Sequence, residues 1–436
     1  MKGLARSLAA VAAAGLAIGP RPGDHDGARL EAKKVPVALR AFWADGFFAS
    51  AQDAFILAYL PLLASSLGAS ATQIGMLSAS QSLGAMLALY PGAIASRRTG
   101  SRRFLVVFYA GVLGRLLLLA AALVVAFAQG QTALYLVIAI FTLRAFLGNF
   151  VVPAWTSLAA DIIPEQLRAK YFASRNFAIQ MALLAITPLG GLLLDMGGFP
   201  GGYVAALSAS FVFGMCATIA YAFIPEPPPR PKATTPAPRI GQVLSNRGFR
   251  TFVAATFALH FTTMFAGPFF NVYLKENLGA SNFQVGWLTT SSAVAALGGQ
   301  LVWGELMARR GSLWLMRLAV LLLPALPIMW VFLTEPWMVL LPNIAGGALW
   351  AAFNLANFQA LLEVTPEEER DHYVAFFHAS VFFALFVAPF IGGIIIDTFG
   401  YRTVFVVSGT GRFIATAMFF LAVTPVAGRA IGRRRR

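Results

Sequence analysis

Residues 67–77 read LGASATQIGML, and residues 278–288 read LGASNFQVGWL. The second copy begins 211 positions after the first. In each copy a glycine, Gly68 or Gly279, can adopt the left-handed conformation that ends a helix. Each also carries Ser-x-x-Gln, Ser70 with Gln73 and Ser281 with Gln284, which fits the capping box that starts the next helix. The phrase therefore predicts a tight helix–turn–helix, written twice. Three further echoes follow the same order. GAIASRR (92–98) is matched by GELMARR (304–310), DIIPEQLRAKY (161–171) by EVTPEEERDHY (363–373), and GGLLLD (190–195) by GGIIID (392–397). Pro164 and Pro366 within them suit the first turn of a helix. Four phrases in one order imply a tandem repeat.

The solvent for this repeat follows from composition. The chain has 436 residues, 58% hydrophobic and 12% charged, with a mean hydropathy of +0.72. A soluble fold cannot hide that much apolar surface, so the chain belongs in a membrane. Twelve apolar runs reach the roughly 20 residues needed to cross a bilayer: 41–66, 72–96, 103–128, 131–160, 170–195, 201–224, 248–275, 282–307, 313–333, 336–362, 372–397 and 401–424. Each must be a helix, because a lone strand in lipid leaves its backbone groups unsatisfied. The predicted fold class is an all-α membrane protein with twelve transmembrane helices in two pseudo-symmetric six-helix bundles. Its expected parts are an N-terminal extension (1–40), a bundle (41–224), a linker (225–246), a second bundle (247–424) and a basic tail (425–436). The linker opens with PEPPPRPKATTPAPR, which is proline-rich and lacks an apolar period.

The net charge is +15. With an even number of spans both termini share one side, and 27 of the 33 Lys and Arg lie there. Only Lys275 and Arg402 fall in the opposite loops, while Arg115, Arg144, Arg175 and Arg412 lie inside spans. This bias predicts cytoplasmic termini in an inner membrane. It also excludes a nucleic-acid role, since no loop could hold a folded basic domain. Lys2, Arg6 and the Ala-rich stretch after them mimic a signal peptide. The basic residues Lys33, Lys34 and Arg40 favour a cytoplasmic extension instead. The one cysteine, Cys216, lies in a span and reads as a small buried residue.

The loop after span two carries Gly92, Ile94, Ala95, Ser96, Arg97, Arg98, Gly100, Arg102 and Arg103. Its copy offers Gly304, Leu306, Arg309, Arg310 and Gly311. With twelve spans in two parallel halves, this pattern resembles the major facilitator superfamily of secondary transporters over residues 41–424. The resemblance implies a cytoplasmic gate at Gly92, Arg97, Arg98, Gly304, Arg309, Arg310 and Gly311. Ser96 and Ala308 stand where the family carries an aspartate, and Glu305 is a weak substitute. Ile140, Arg144, Leu147 and Gly148 resemble part of a span-four pattern of proton-driven drug exporters. Pro188, Gly190 and Gly191, with Pro389, Gly392 and Gly393, resemble the tail of an antiporter pattern. In the family, spans one, four, seven and ten line the cavity.

Charged groups inside a membrane are functional suspects by default. Span one holds Asp45, Gln52 and Asp53, and span four holds Arg144 at similar depth. An Asp53–Arg144 pair would reduce the cost of burying both; it reads equally as a coupling switch and as a permanent strut. Asp45 could pair with Arg175, though snorkelling of Arg175 is the simpler reading. His260 in span seven is a coupling candidate, since histidine changes charge near neutral pH, but a hydrogen-bonded core histidine is the commoner case. Asn271 shares its stripe, and Trp350, Asn354 and Asn357 follow one face of span ten. Arg115 and Arg412 have no evident partners. The cavity spans are rich in phenylalanine and poor in polar side chains, which favours a hydrophobic or amphipathic substrate.

No G-x-x-x-x-G-K-[ST] loop and no nucleophile or metal constellation occurs. The expectation is therefore a monomeric, cofactor-free, non-enzymatic secondary transporter in the lipid bilayer. Its expected partners are a small-molecule substrate and protons. Proton-coupled efflux is the first reading. Proton-coupled or facilitated uptake of a small organic solute is the second, and a non-transporting sensor or accessory protein is the alternative from another class.

Overall fold

The computed structural model describes residues 34–163, 165–227, 240–366 and 370–423. The expectations for residues 1–33, for Pro164, for most of the linker and for the basic tail lie outside them.

Among the described residues twelve long helical segments follow one another, with a short helix, Ile240–Ser245, between the sixth and seventh: Val35–Ala54 with Leu60–Ser66, Ala71–Arg98, Arg102–Phe127, Gly130–Ile162, Glu165–Gly197, Gly201–Ala222, Arg247–Glu276, Asn282–Arg310, Ser312–Val331, Pro336–Val364, Arg370–Phe399 and Tyr401–Leu421. They are called spans one to twelve. Among the described residues, nine are long and apolar enough to cross a membrane. Spans one, two and eight are not among the nine. Span one is interrupted, and the other two carry polar runs, Ser78 to Ser82 and Thr289 to Ser292. Those groups turn back onto their own helix: Ser80 and Gln81 donate to the Leu77 carbonyl, and Ser291 to that of Leu288. Satisfied this way, a polar side chain costs little in lipid.

Both copies of the opening phrase fold as capped turns. Gly68 and Gly279 take φ of +81° and +73°. Ser281 Oγ accepts from the Gln284 amide at 3.1 Å, and Gln284 Oε1 accepts from the Ser281 amide at 2.8 Å. Ser70 and Gln73 repeat the exchange at 3.3 and 3.0 Å.

Spans one and seven are each broken, at residues 55–59 and at 265–269. A break in lipid frees backbone carbonyls that need new donors. Ser210 of span six donates to the freed Gln52 carbonyl at 2.8 Å, while Tyr59, at the end of the break, ties it to span five by donating to the Thr187 carbonyl at 2.6 Å. In span seven the Thr262 carbonyl accepts from Ser408 of span twelve at 2.6 Å. The two bends thus share a position and a means of support.

The chain divides into two compact units: Met1–Leu63 with Gly84–Lys232, and Ala64–Leu83 with Ala233–Arg436. Span two therefore changes units at Leu83. Within the first unit its later part packs closely on span four. A Cβ on Gly84 would lie 2.8 Å from the Thr142 carbonyl oxygen, and one on Gly92 would meet the Phe150 carbonyl. Within the second unit its first turn is capped by span eleven, where Asp397 accepts from the Ala71 and Thr72 amides at 2.9 and 2.8 Å. Gly393 lies against the same turn, and Gly392 against the Phe265 carbonyl.

The two units have separate apolar cores. Phe42, Leu158 and Tyr221 anchor the first, and Phe249, Phe252 and Phe353 the second.

Candidate functional site

Span one brings Asp45, Gln52 and Asp53 to a cavity of about 520 Å³ in the first unit. Span three supplies Val106, Ala110, Gly114 and Arg115, span four Arg144, Asn149 and Trp155, and span five Arg175. The helical stripe through Asp45 and Gln52 leaves Asp53 about 100° round from Gln52. All three nonetheless reach the cavity, because Gln52 Nε2 turns to donate to Asp53 Oδ1 at 2.9 Å.

Arg144 Nη2 donates to the same Oδ1 at 2.7 Å. Both bonds converge on one oxygen. The Asp53 side chain is 36% exposed and that of Arg144 16%. The pair is thus sheltered on the arginine side and open on the carboxylate side.

Arg175 does not snorkel. Its Nε donates to the Phe42 carbonyl at 3.1 Å, and its Nη2 meets Asp45 Oδ2 at 3.4 Å. The guanidinium lies over the rings of Phe42 and Trp155, 5.1 and 5.2 Å from their centroids, a favourable setting for a cation. Gly46 makes the space, since a Cβ there would sit 2.8 Å from Arg175 Cζ.

Arg115 follows an eight-residue π-helix, Val106–Leu113. Its Nη1 donates back to the Ala110 carbonyl at 2.9 Å. Sequence reasoning left this residue without an account, and the signal for it is spatial. Gly214 in span six keeps room for its stem, since a Cβ there would lie 2.9 Å from Cγ, and for Gln52.

The candidates in the second unit do not gather in the same way. His260 Nδ1 donates to the Thr256 carbonyl at 2.9 Å, and its ring lies beside those of Phe353 and Trp350, 5.8 and 6.2 Å away. A carbonyl can only accept, so Nδ1 carries the proton. This is the setting of a core histidine. Asn354 is exposed, Asn271 is half-buried, and Asn357 keeps a buried Oδ1 without a partner.

The gate residues have local roles. Gly92 permits the approach to Phe150, while Arg97 and Arg98 are exposed. Arg309 pairs with Glu305 one turn earlier, both largely in solvent, where such pairs contribute little. Arg310 covers the Trp314 ring at 4.7 Å, Gly304 has open space around it, and Gly311 turns into span nine with φ +86°. The stronger network at this end centres on Arg102. Its Nη1 binds Asp161 at 2.7 Å and Ser157 at 3.0 Å, and its Nε reaches Glu226 at 3.4 Å. Asp161 has its echo in Glu363, which accepts from Ser312 at the start of span nine.

The sequence model of the Major Facilitator Superfamily matches residues 43–265 and again 252–436. The chain belongs to this family. It is an integral membrane protein with a transporter's architecture rather than an enzyme's. An uncharacterized MFS-type transporter of Methanocaldococcus jannaschii is 23% identical over 170 residues, a match spanning 38% of this chain and 44% of that relative, less than half its length. Solved structures share the fold at low identity. A mutant of the nucleoside transporter NupG superposes with a TM-score of 0.71 at 12% identity, covering 87% of this chain and 99% of that one. A bacterial homologue of the human lysosomal transporter Spinster gives 0.72 at 15%, over 88% and 95% of the two chains. A bacterial homologue of the iron transporter ferroportin gives 0.69 at 14%, over 87% and 97%.

Proposed function

We propose that this membrane protein is a secondary active transporter that moves a small amphipathic molecule by alternating access, coupled to protons through Asp53. The observation that carries the reading is the Asp53–Arg144 pair at 2.7 Å on a cavity wall. A carboxylate that water reaches on one side can leave its arginine, take a proton and return. A strut would be closed on both sides. Alanines, valines and Trp155 make up most of the remaining wall, beside Asn149, which suits a substrate with an apolar body. The orientation we propose has both termini cytoplasmic, on the positive-inside bias, with the chain acting as a monomer in the inner membrane.

The Arg144 and Gly148 remnant in span four supports export as the direction. Gly392 and Gly393 add nothing to that case, because close packing already explains them. Uptake together with a proton is the second reading. It gains from the three arginines on the cavity wall, since a proton on Asp53 would make room for a negatively charged solute.

Proteoliposomes with an imposed pH gradient test the proposal against a panel of candidate solutes. One proton per cycle supports about tenfold accumulation per pH unit, about 1.4 kcal/mol. The Asp53→Asn protein is expected to lose gradient-driven accumulation while keeping solute exchange. Unchanged accumulation removes Asp53 from coupling, and no flux of any solute under either polarity favours a sensor.

A further inference from the structure

We propose that the cavity of the first unit receives an organic anion, a carboxylate, sulfonate or phosphate ester on an apolar body, with Arg115 as the group that meets its charge. This rests on the transport reading and names its substrate class.

The inference begins with charge. Three guanidiniums, of Arg115, Arg144 and Arg175, face two carboxylates, of Asp45 and Asp53. Arg144 is matched by Asp53 and Arg175 by Asp45. Among the described residues no carboxylate comes within ion-pairing distance of Arg115. Its Nη1 is taken by the Ala110 carbonyl, its Nε is buried without a partner, and among the described residues its Nη2 has no hydrogen bond. Arg144 Nε is likewise buried and unpartnered. Burying an unmatched cation in a membrane is expensive.

The surrounding backbone nevertheless makes room for it. A Cβ on Gly214 would lie 2.9 and 3.1 Å from Arg115 Cγ and Cδ, so any other residue there would force the side chain to move. The π-helix that ends at Leu113 offers the Ala110 carbonyl to Nη1 and so fixes the guanidinium. Such wide turns occur often at functional sites. The result is a fixed cation with unused donors, the requirement for binding an oxyanion. Val106, Val151, Val152 and Trp155 supply the apolar wall for the rest of the molecule. A cation could gain Asp53 only by displacing Arg144, and a neutral molecule leaves Arg115 unmatched.

Full-length protein in phosphatidylcholine nanodiscs, without any gradient, is titrated calorimetrically with three probes of one shape: naphthalene-1-sulfonate, 1-naphthylmethylammonium and 1-naphthalenemethanol. The sulfonate is expected to bind at least tenfold more tightly than the other two. Arg115→Gln is expected to remove that preference and Arg115→Lys to keep part of it, while Arg103→Gln, outside the cavity, retains it. Competition by added phosphatidylglycerol would identify a lipid headgroup as the anion's source, and its absence a free solute. Equal or tighter binding of the ammonium or alcohol probe by the wild-type protein overturns the proposal, as does no binding of the sulfonate. Selectivity unchanged in Arg115→Gln does the same. These outcomes need no variant that fails to fold, and they leave the flux measurement to judge transport separately.

Discussion

Replacing Arg102 with alanine removes the cation at the centre of a buried cluster, and the structure sets the size of the effect. The Arg102 and Asp161 side chains are 4% and 6% exposed, with Nη1 and Oδ2 2.7 Å apart. Taking one partner from a buried pair costs about 3–5 kcal/mol, because the other charge stays buried beside fewer donors. Glu226 suffers less. Its side chain is 14% exposed, lies farther from the guanidinium at 3.4 Å, and keeps the Arg102 amide at 2.6 Å and the Ser101 hydroxyl at 2.6 Å. The loss from Arg102→Ala is therefore expected near that 3–5 kcal/mol, with Glu226→Gln costing only about 1 kcal/mol. Reversible unfolding of the purified protein in mixed micelles measures both. A double variant, Arg102→Met with Asp161→Leu, removes both charges and should recover at least half of the loss. An Arg102→Ala protein within 1 kcal/mol of wild type, or a double variant no better than the single one, would refute the reasoning.

Two further outcomes are expected in the same unfolding assay. Ser281→Ala and Ser70→Ala each remove one capping box and should cost about 1 kcal/mol apiece. Gly84→Ala places a Cβ 2.8 Å from the Thr142 carbonyl oxygen, so spans two and four must move apart, at about 1–3 kcal/mol. An effect under a few tenths there would mean the helices do not touch as described.

The twelve spans were legible because run length and hydropathy are local properties, and their ends mostly fall within a few residues of those expected. Span one is an exception, starting at Val35 rather than near 41. The LGAS turns were legible for the same reason, since glycine and the Ser-x-x-Gln box act within six residues. The bends at 55–59 and 265–269 were not, because they depend on hydroxyls from Ser210 and Ser408, far off in sequence. Asp53 and Arg144 stood out as charges at equal depth. The seat of Arg175 could not be read, since it depends on Gly46 leaving space and on two rings from spans one and four. Arg115 was visible only as an anomaly, because its setting is built by a π-turn and by Gly214. His260 drew notice for its chemistry, yet a carbonyl of its own helix already takes its Nδ1 proton.

The paired bends also bear on how the two halves differ. Gln52 and Thr262, whose carbonyls are freed at the bends, stand 210 residues apart. In each half a serine of the last helix holds the bend of the first, Ser210 at Gln52 and Ser408 at Thr262, yet the two serines are 198 residues apart, so the support is shared in geometry and not in aligned sequence. The charges are not shared at all. At the offsets of 211 and 202 residues that relate the halves, Asp53 and Arg144 face Met264 and Gly346. Both halves thus carry a bent first helix, and only the first sets an ion pair beside its bend at these positions.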